Sequence, residues 1–179
     1  VPVLLAAGDS NNRYLTGLTG PEFASGVWYI LFFAEADPVV FAHAGYIGHY
    51  EQECPWISRW RLARSWLNGI CGPEAAAEEA EKFAADILEE LTQQGLKDEP
   101  LALIGFDGLA QTALQKKGIT VKGGSALMLE ATARKTDEEL KCVKMVAAMA
   151  ETAWTKVLEH LKPGIRDTEL ASICREAIS

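Results

Sequence analysis

No run of apolar residues in this sequence approaches the ~18 that a membrane span requires, and no charged leader precedes its apolar start. Both features argue against a transmembrane protein or a retained signal peptide. Positive charge is scarce, with 17 Lys and Arg against 25 Asp and Glu and a net charge of −8. That balance excludes a nucleic-acid binder or a protein held on anionic lipid, since both need clustered cations. The four cysteines, Cys54, Cys71, Cys142 and Cys174, form no Cys-x-x-Cys pair and fall at no metal-ligand spacing. They read as free thiols of a cytoplasmic protein. No Asn-x-Ser/Thr acceptor points to secretion. The chain also lacks an initiator methionine, so Val1-Pro2-Val3-Leu4-Leu5 reads as the first core strand of a trimmed or cleaved chain.

What is present is enough for a core. Of the 179 residues 49% are hydrophobic, the length of one ordinary domain plus an extra piece. Residues 1–6 are continuously apolar, as in a strand buried on both faces. Turn-forming residues from Gly8 to Asn12 follow, and then Arg13-Tyr14-Leu15-Thr16 leads to Gly17. Val27 to Phe33 and Val39 to Ala42, joined through Glu35-Ala36-Asp37-Pro38, predict a hairpin. From Gly45 to about Trp60 the sequence is polar and aromatic with no clean period, and Arg61 to Asn68 suggests a short helix. Pro73 stands where a helix would start. Phe83, Ile87 and Leu91 recur every four residues along it, and Gly95 closes it. Leu101 to Phe106 predicts another buried strand, residues 108–117 a short helix, and Thr120-Val121 and Leu127 to Ala131 two more strands. Strands and helices alternate after an initial hairpin, which predicts an α/β protein with a mixed sheet flanked by helices.

The character changes at Arg134. Thr136-Asp137-Glu138-Glu139 is a capping box, and Leu140, Val143, Ala147, Ala150, Trp154, Val157 and Leu161 keep helical spacing behind it. Pro163-Gly164 ends that helix, and Asp167-Thr168 would cap another. The reading is two domains, residues 1–133 and 134–179.

Two segments carry a resemblance. Asn12-Arg13-Tyr14-Leu15-Thr16-Gly17, directly after a buried strand, resembles the N-x-x-Y-L-T-G segment near the start of the creatinase, prolidase and aminopeptidase P family. Ala133-Arg134-Lys135-Thr136-Asp137-Glu138-Glu139-Leu140, continuing to Leu161-Lys162-Pro163-Gly164 and Thr168-Glu169, resembles that family's entry into its catalytic domain. Arg134 and Lys135 are adjacent here, so the junction is matched in kind more than in spacing.

The resemblance implies that residues 1–133 are the family's non-catalytic amino-terminal domain, serving oligomerisation and substrate access. Residues 134–179 would be the first helices of a truncated "pita-bread" catalytic domain. It implies a homodimeric parent acting on a peptide or small molecule, with two divalent metals (Mn, Co or Zn) that generate a hydroxide and polarise the scissile carbonyl. The five metal ligands of the family would lie downstream, so no catalytic or metal-ligating residue is assigned here. In related enzymes the loop after Y-L-T-G reaches toward a neighbouring active site, which makes Glu22 and Phe23 candidates for substrate access. Creatinase carries a Phe and, two residues on, an Arg in this loop. Phe23 matches the first and Ser25 falls on the second, which lowers a creatine-like substrate and favours a cationic group such as a free amino terminus.

The densest unusual cluster is Trp56, Trp60 and Trp66 with Arg59, Arg61 and Arg64. Trp and Arg are favoured at interfaces, so Trp56, Arg59, Trp60 and also Trp154 are interface candidates. Tyr14 is expected inside, between sheet and helix. His43 and His49, with Glu51 and Glu53 nearby, are too thin a set for a metal and read as surface-loop residues. Lys122-Gly123-Gly124-Ser125 lacks the spacing of a phosphate loop and reads as a plain turn. Glu74, Glu78, Glu79, Glu81, Glu89 and Glu90 read as a solvated helix face. Three functions compete: the amino-terminal part of an Xaa-Pro peptidase, that of a relative with creatinase-like C–N or sulfonium chemistry, and a stand-alone binding module.

Overall fold

A computed structural model describes residues 1–18, 28–66 and 68–178, with no side chains described at 68–70. The chain divides into two compact units, Val1–Leu129 and Glu130–Ser179.

The first unit is built on a six-stranded sheet in the order β4-β3-β2-β1-β5-β6. Its strands are β1 (Val3–Ala7), β2 (Tyr29–Phe33), β3 (Val39–Ala42), β4 (Arg59–Leu62), β5 (Leu101–Ile104) and β6 (Val121–Gly123). β2 pairs antiparallel with both β1 and β3, while β3–β4, β1–β5 and β5–β6 are parallel. Only β2 therefore runs against the rest, giving the expected mixed sheet. The apolar run of β1 is buried on both faces because helices cover both. Odd-numbered side chains (Val3, Leu5, Tyr29, Leu31, Phe41) join one core with Phe83, Ile87 and Leu91. Even-numbered ones enter the opposite layers, Ile30 and Val40 with Tyr50 and Cys54, Leu4 and Ala6 with Met128. This is the two-residue period of a strand read out in packing.

The helices of this unit are α1 (Asp9–Thr16), α2 (Ala44–Glu53), α3 (Asn68–Gln93), α4 (Gly108–Lys116) and α5 (Ser125–Ala133), the last running past Leu129. α3 is interrupted at Gly72 (φ 76°), and its long continuation opens at Pro73 as expected. Ala76, Ala80 and Ala84 beside Phe83 and Ile87 let that helix lie close on the sheet. Asp107 caps α4, its Oδ1 accepting from the Ala110 amide at 2.9 Å.

Several expectations are corrected. Gly8 to Asn12 is not a free turn, because α1 already begins at Asp9. Gly45 onward forms α2, despite two glycines that mask its period, and His43 caps it, Nδ1 accepting from the Gly45 amide at 3.2 Å. The helix expected at Arg61 to Asn68 gives way to β4, where alternation sends Trp60 to one face and Arg59 and Arg61 to the other. Leu127 to Ala131 belongs to α5 rather than a strand, since Leu, Met, Glu and Ala are all good helix formers. Lys122 to Ser125 is a strand-to-helix junction rather than a plain turn. A Cβ at Gly124 would come within 3.1 Å of the Leu103 carbonyl, so any larger residue would have to push its neighbours back by a few tenths of an ångström.

In the second unit, α6 (Asp137–His160) and α7 (Asp167–Glu176) pack together across the Pro163-Gly164 turn. The capping box is formed in both directions: the Glu139 amide donates to Thr136 Oγ1 at 3.2 Å, and the Thr136 amide donates to Glu139 Oε2 at 2.7 Å. That amide holds the Glu139 carboxyl below its ordinary range. α7 starts earlier than expected: Arg166 is its cap and Asp167 its first residue, and Glu169 accepts from the Arg166 amide at 3.1 Å. Ala153 alone is fully buried on α6, while Val146, Trp154, Leu158 and Leu161 are exposed. No helix among the described residues is long and apolar enough to cross a membrane.

Candidate functional site

The segment Asn12 to Gly17 forms the end of α1, and its polar side chains hold the chain in place. Asn12 is fully buried and donates through Nδ2 to the Trp28 carbonyl at 2.8 Å, fastening α1 to the start of β2. Thr16 Oγ1 donates to the Asn12 carbonyl at 2.7 Å and accepts from the Leu18 amide at 3.1 Å. Gly17 ends the helix at φ 74°, a left-handed conformation natural to glycine. Tyr14, expected inside, is 43% exposed instead. On a helix Asn12 and Thr16, four apart, share the face turned to the sheet, and Tyr14 lies half a turn away.

Beside Gly17 opens a groove of about 590 Å³ lined by Gly17, Leu18, Tyr46, His49, Tyr50, Glu53, Cys54 and Trp56. α2 supplies one wall. Tyr46, His49, Tyr50 and Glu53 follow three- and four-residue steps and so share one helix face. Tyr46 and Tyr50 stack with ring centroids 5.9 Å apart, and Trp60 stacks on Tyr50 at 6.0 Å. His49 Nε2 stands 3.2 Å from Glu53 Oε1. Trp56 also lines it, 62% exposed yet fixed by a bond from Nε1 to the Thr16 carbonyl at 3.0 Å. Burial pushes the Tyr50 hydroxyl up, helped by the neighbouring Tyr46 phenol and the carboxylates of Glu53 and Asp9. It also pushes up the Cys54 thiol, which argues against a reactive thiolate.

The tryptophan and arginine cluster of the sequence does not stay together. Trp56 lines the groove, Trp60 stacks on Tyr50, and Trp66 enters the opposite core, donating to Asp107 Oδ2 at 3.0 Å. Arg59 and Arg61 both reach Glu90 on α3, the latter at 2.7 Å, while Arg61 also meets Glu89 at 2.8 Å and Arg64 meets Asp86 at 2.8 Å. Glu90, expected on a solvated face, is thus 2% exposed and doubly paired. Trp154 lies on the second unit, 67% exposed. Glu22 and Phe23 lie outside the described residues, as does Ser25.

Sequence reading placed His49 and Glu53 near each other but missed Tyr46 and Tyr50. The four-residue steps from Tyr46 were the available signal, hidden by Gly45 and Gly48. Among the described residues no group of three or more His, Cys, Asp or Glu could hold a metal ion. The pair of metals implied by the resemblance therefore finds no ligand set in these residues, and no chemical step is assigned to them.

No family model matches the sequence, and no curated protein matches it. Solved structures do share its fold. A prolidase from Thermococcus sibiricus superimposes with a TM-score of 0.69 at 21% identity, over 99% of this chain and 44% of that one. An Xaa-Pro dipeptidase from Bacillus anthracis gives 0.66 at 17% identity, over 99% and 44%. The N-terminal domain of an Xaa-Pro dipeptidase from Lactobacillus brevis gives 0.50 at 16% identity, over 72% of this chain and 88% of that one. The chain spans less than half the length of the two full enzymes. At these identities the likeness is one of fold. The mixed sheet with flanking helices is that of the amino-terminal domain of an Xaa-Pro dipeptidase.

Proposed function

We propose that this chain is the amino-terminal, non-catalytic part of a dinuclear-metal hydrolase of the prolidase and aminopeptidase P kind. In this reading residues 1–133 serve oligomerisation and substrate access, and residues 134–179 open the catalytic domain. The observation that carries it is the pattern of coverage. The chain aligns over 99% of its own length with enzymes of which it spans 44%. The Asn12 to Gly17 segment and the capping box at Thr136 add sequence features in the order the resemblance requires.

The exposed side chains Leu140, Val143, Trp154 and Leu158, which share one face of α6, fit this role, because a helix that opens a larger domain leaves its apolar face for the remainder of that domain. In the isolated chain a second copy covers that face, giving a dimer. Glu22 and Phe23 remain the candidates for contact with substrate, the metals belong to the remainder of the parent, and the compartment is the cytoplasm.

The test is hydrolysis of Ala-Pro by the full-length protein loaded with Mn²⁺. Turnover supports the peptidase reading. Inertness toward Xaa-Pro peptides contradicts it.

A further inference from the structure

We propose that the groove between α2 and Trp56 binds a methylated ammonium group, independently of any catalytic role of the longer protein. Its walls are aromatic. The Tyr46 ring and the Trp56 indole line it, and Tyr50, 3% exposed and stacked between Tyr46 and Trp60, holds the Tyr46 ring from behind. Ring faces carry negative quadrupole density and attract an alkylated cation, whose diffuse charge sheds water readily.

Trp56 is the informative residue. An indole 62% exposed gains little from burial, yet its N–H is tied to the Thr16 carbonyl at 3.0 Å, so the ring is held open to solvent in one orientation. The bond satisfies one of the last carbonyls of α1, and in doing so it presents a fixed ring to the groove.

Charge points to the same ligand. Among the described residues Glu53 is the one carboxylate lining the groove, and no Lys or Arg lines it. Glu53 is also the last residue of α2, whose final turn carries no basic residue. The negative end of the helix dipole therefore adds to the carboxylate without compensation. On the same helix face His49 pairs with Glu53, through an exposed contact of small worth. A volume of about 590 Å³ is ample for a trimethylammonium head with a short chain. An anion is disfavoured by Glu53, and a neutral apolar group would leave the carboxylate idle.

The experiment is saturation-transfer NMR and calorimetry on the 179-residue chain with choline, its uncharged isostere 3,3-dimethylbutan-1-ol, and n-butylammonium. Choline is expected to bind at about millimolar strength, at least about fivefold more tightly than the isostere, the difference a cation–π contact makes at a partly exposed site. It should also bind more tightly than n-butylammonium, whose compact charge holds its water. Trp56→Leu should abolish the preference for choline over the isostere. Glu53→Gln, at an exposed carboxylate that does not hold the fold, should weaken choline about threefold to tenfold and leave the isostere unchanged. Equal binding of choline and its isostere, absence of binding, tighter binding of n-butylammonium, or an unchanged choline affinity in a folded Glu53→Gln chain would each overturn the proposal.

Discussion

The indole N–H of Trp56 donates to the carbonyl of Thr16 at 3.0 Å, joining residues forty positions apart. The bond ties the loop before β4 to the end of α1, and Gly17 lies against the same ring, a Cβ there falling 3.6 Å from Trp56 Cζ2. Trp56→Phe keeps a ring but loses the donor. Urea unfolding should show a loss of about 1 kcal/mol, the net worth of one such hydrogen bond. Choline should bind more weakly, because the phenyl ring is a poorer cation–π partner and is no longer held in place. A loss of several kcal/mol would mean that Trp56 is a core residue and not a groove wall.

The buried carboxylate of Glu90 organises one edge of the sheet. It accepts from Arg59 and, at 2.7 Å, from Arg61, which is held above its ordinary value chiefly by its hydrogen bonds to Glu90 and Glu89 against the cost of its own burial. Glu90→Gln should cost about 1–3 kcal/mol. That is below the 3–5 typical of a broken buried pair, because both arginines remain about a third exposed and solvent compensates them. A double-mutant cycle with Arg61→Gln should return a coupling above about 0.5 kcal/mol. Additivity would show that the two groups do not interact in solution.

Tyr29 gives a pH signature. Its ring is fully buried between Phe41 and Phe83, and its hydroxyl accepts from the Arg64 amide at 3.1 Å. Burial pushes the phenol well above its ordinary value. A folded-state value raised above the unfolded one gives stability that is complete below about pH 10 and lost as pH rises toward the folded value. Tyr29→Phe should therefore cost about 1 kcal/mol at pH 7, by leaving that amide unpaired. Above pH 10 the mutant should lose less stability than the parent chain, so the gap narrows. Parallel pH–stability curves for the two proteins would contradict this.

How much of this was legible depends on which face a residue occupies. β1, the β2–β3 hairpin, the helix from Pro73 and the capping box at Thr136 were readable because composition and period agreed there. β4 was not, because its alternation of Trp60 with Arg59 and Arg61 separates residues that look like one cluster in a linear reading. Glu90 resembled any other glutamate of an acidic helix, and nothing local announces that two arginines from a strand 29 and 31 residues earlier will bury it. Tyr14 was misplaced for a related reason: once α1 begins at Asp9, the helical phase turns Asn12 and Thr16 inward and Tyr14 outward. The groove escaped because Gly45 and Gly48 hide the helix that brings Tyr46, Tyr50 and Glu53 together.

Trp154 tests the second unit. Its exposed indole lies on the α6 face that the proposed dimer covers. Light scattering at increasing concentration should show dimers of the chain, and Trp154→Glu should shift them to monomers without loss of helicity. A strictly monomeric chain at high concentration contradicts the dimer, and an unaffected dimer moves the interface elsewhere.

The measurement that bears most directly on the account is metal content and turnover of the 179-residue chain beside the full-length protein. After dialysis from Mn²⁺ or Co²⁺, the chain should retain well under one equivalent of metal and hydrolyse no Ala-Pro, while the full-length protein retains metal and turns it over. One tightly held equivalent in the chain, or Ala-Pro hydrolysis by it, would contradict the assignment of catalysis to residues beyond it.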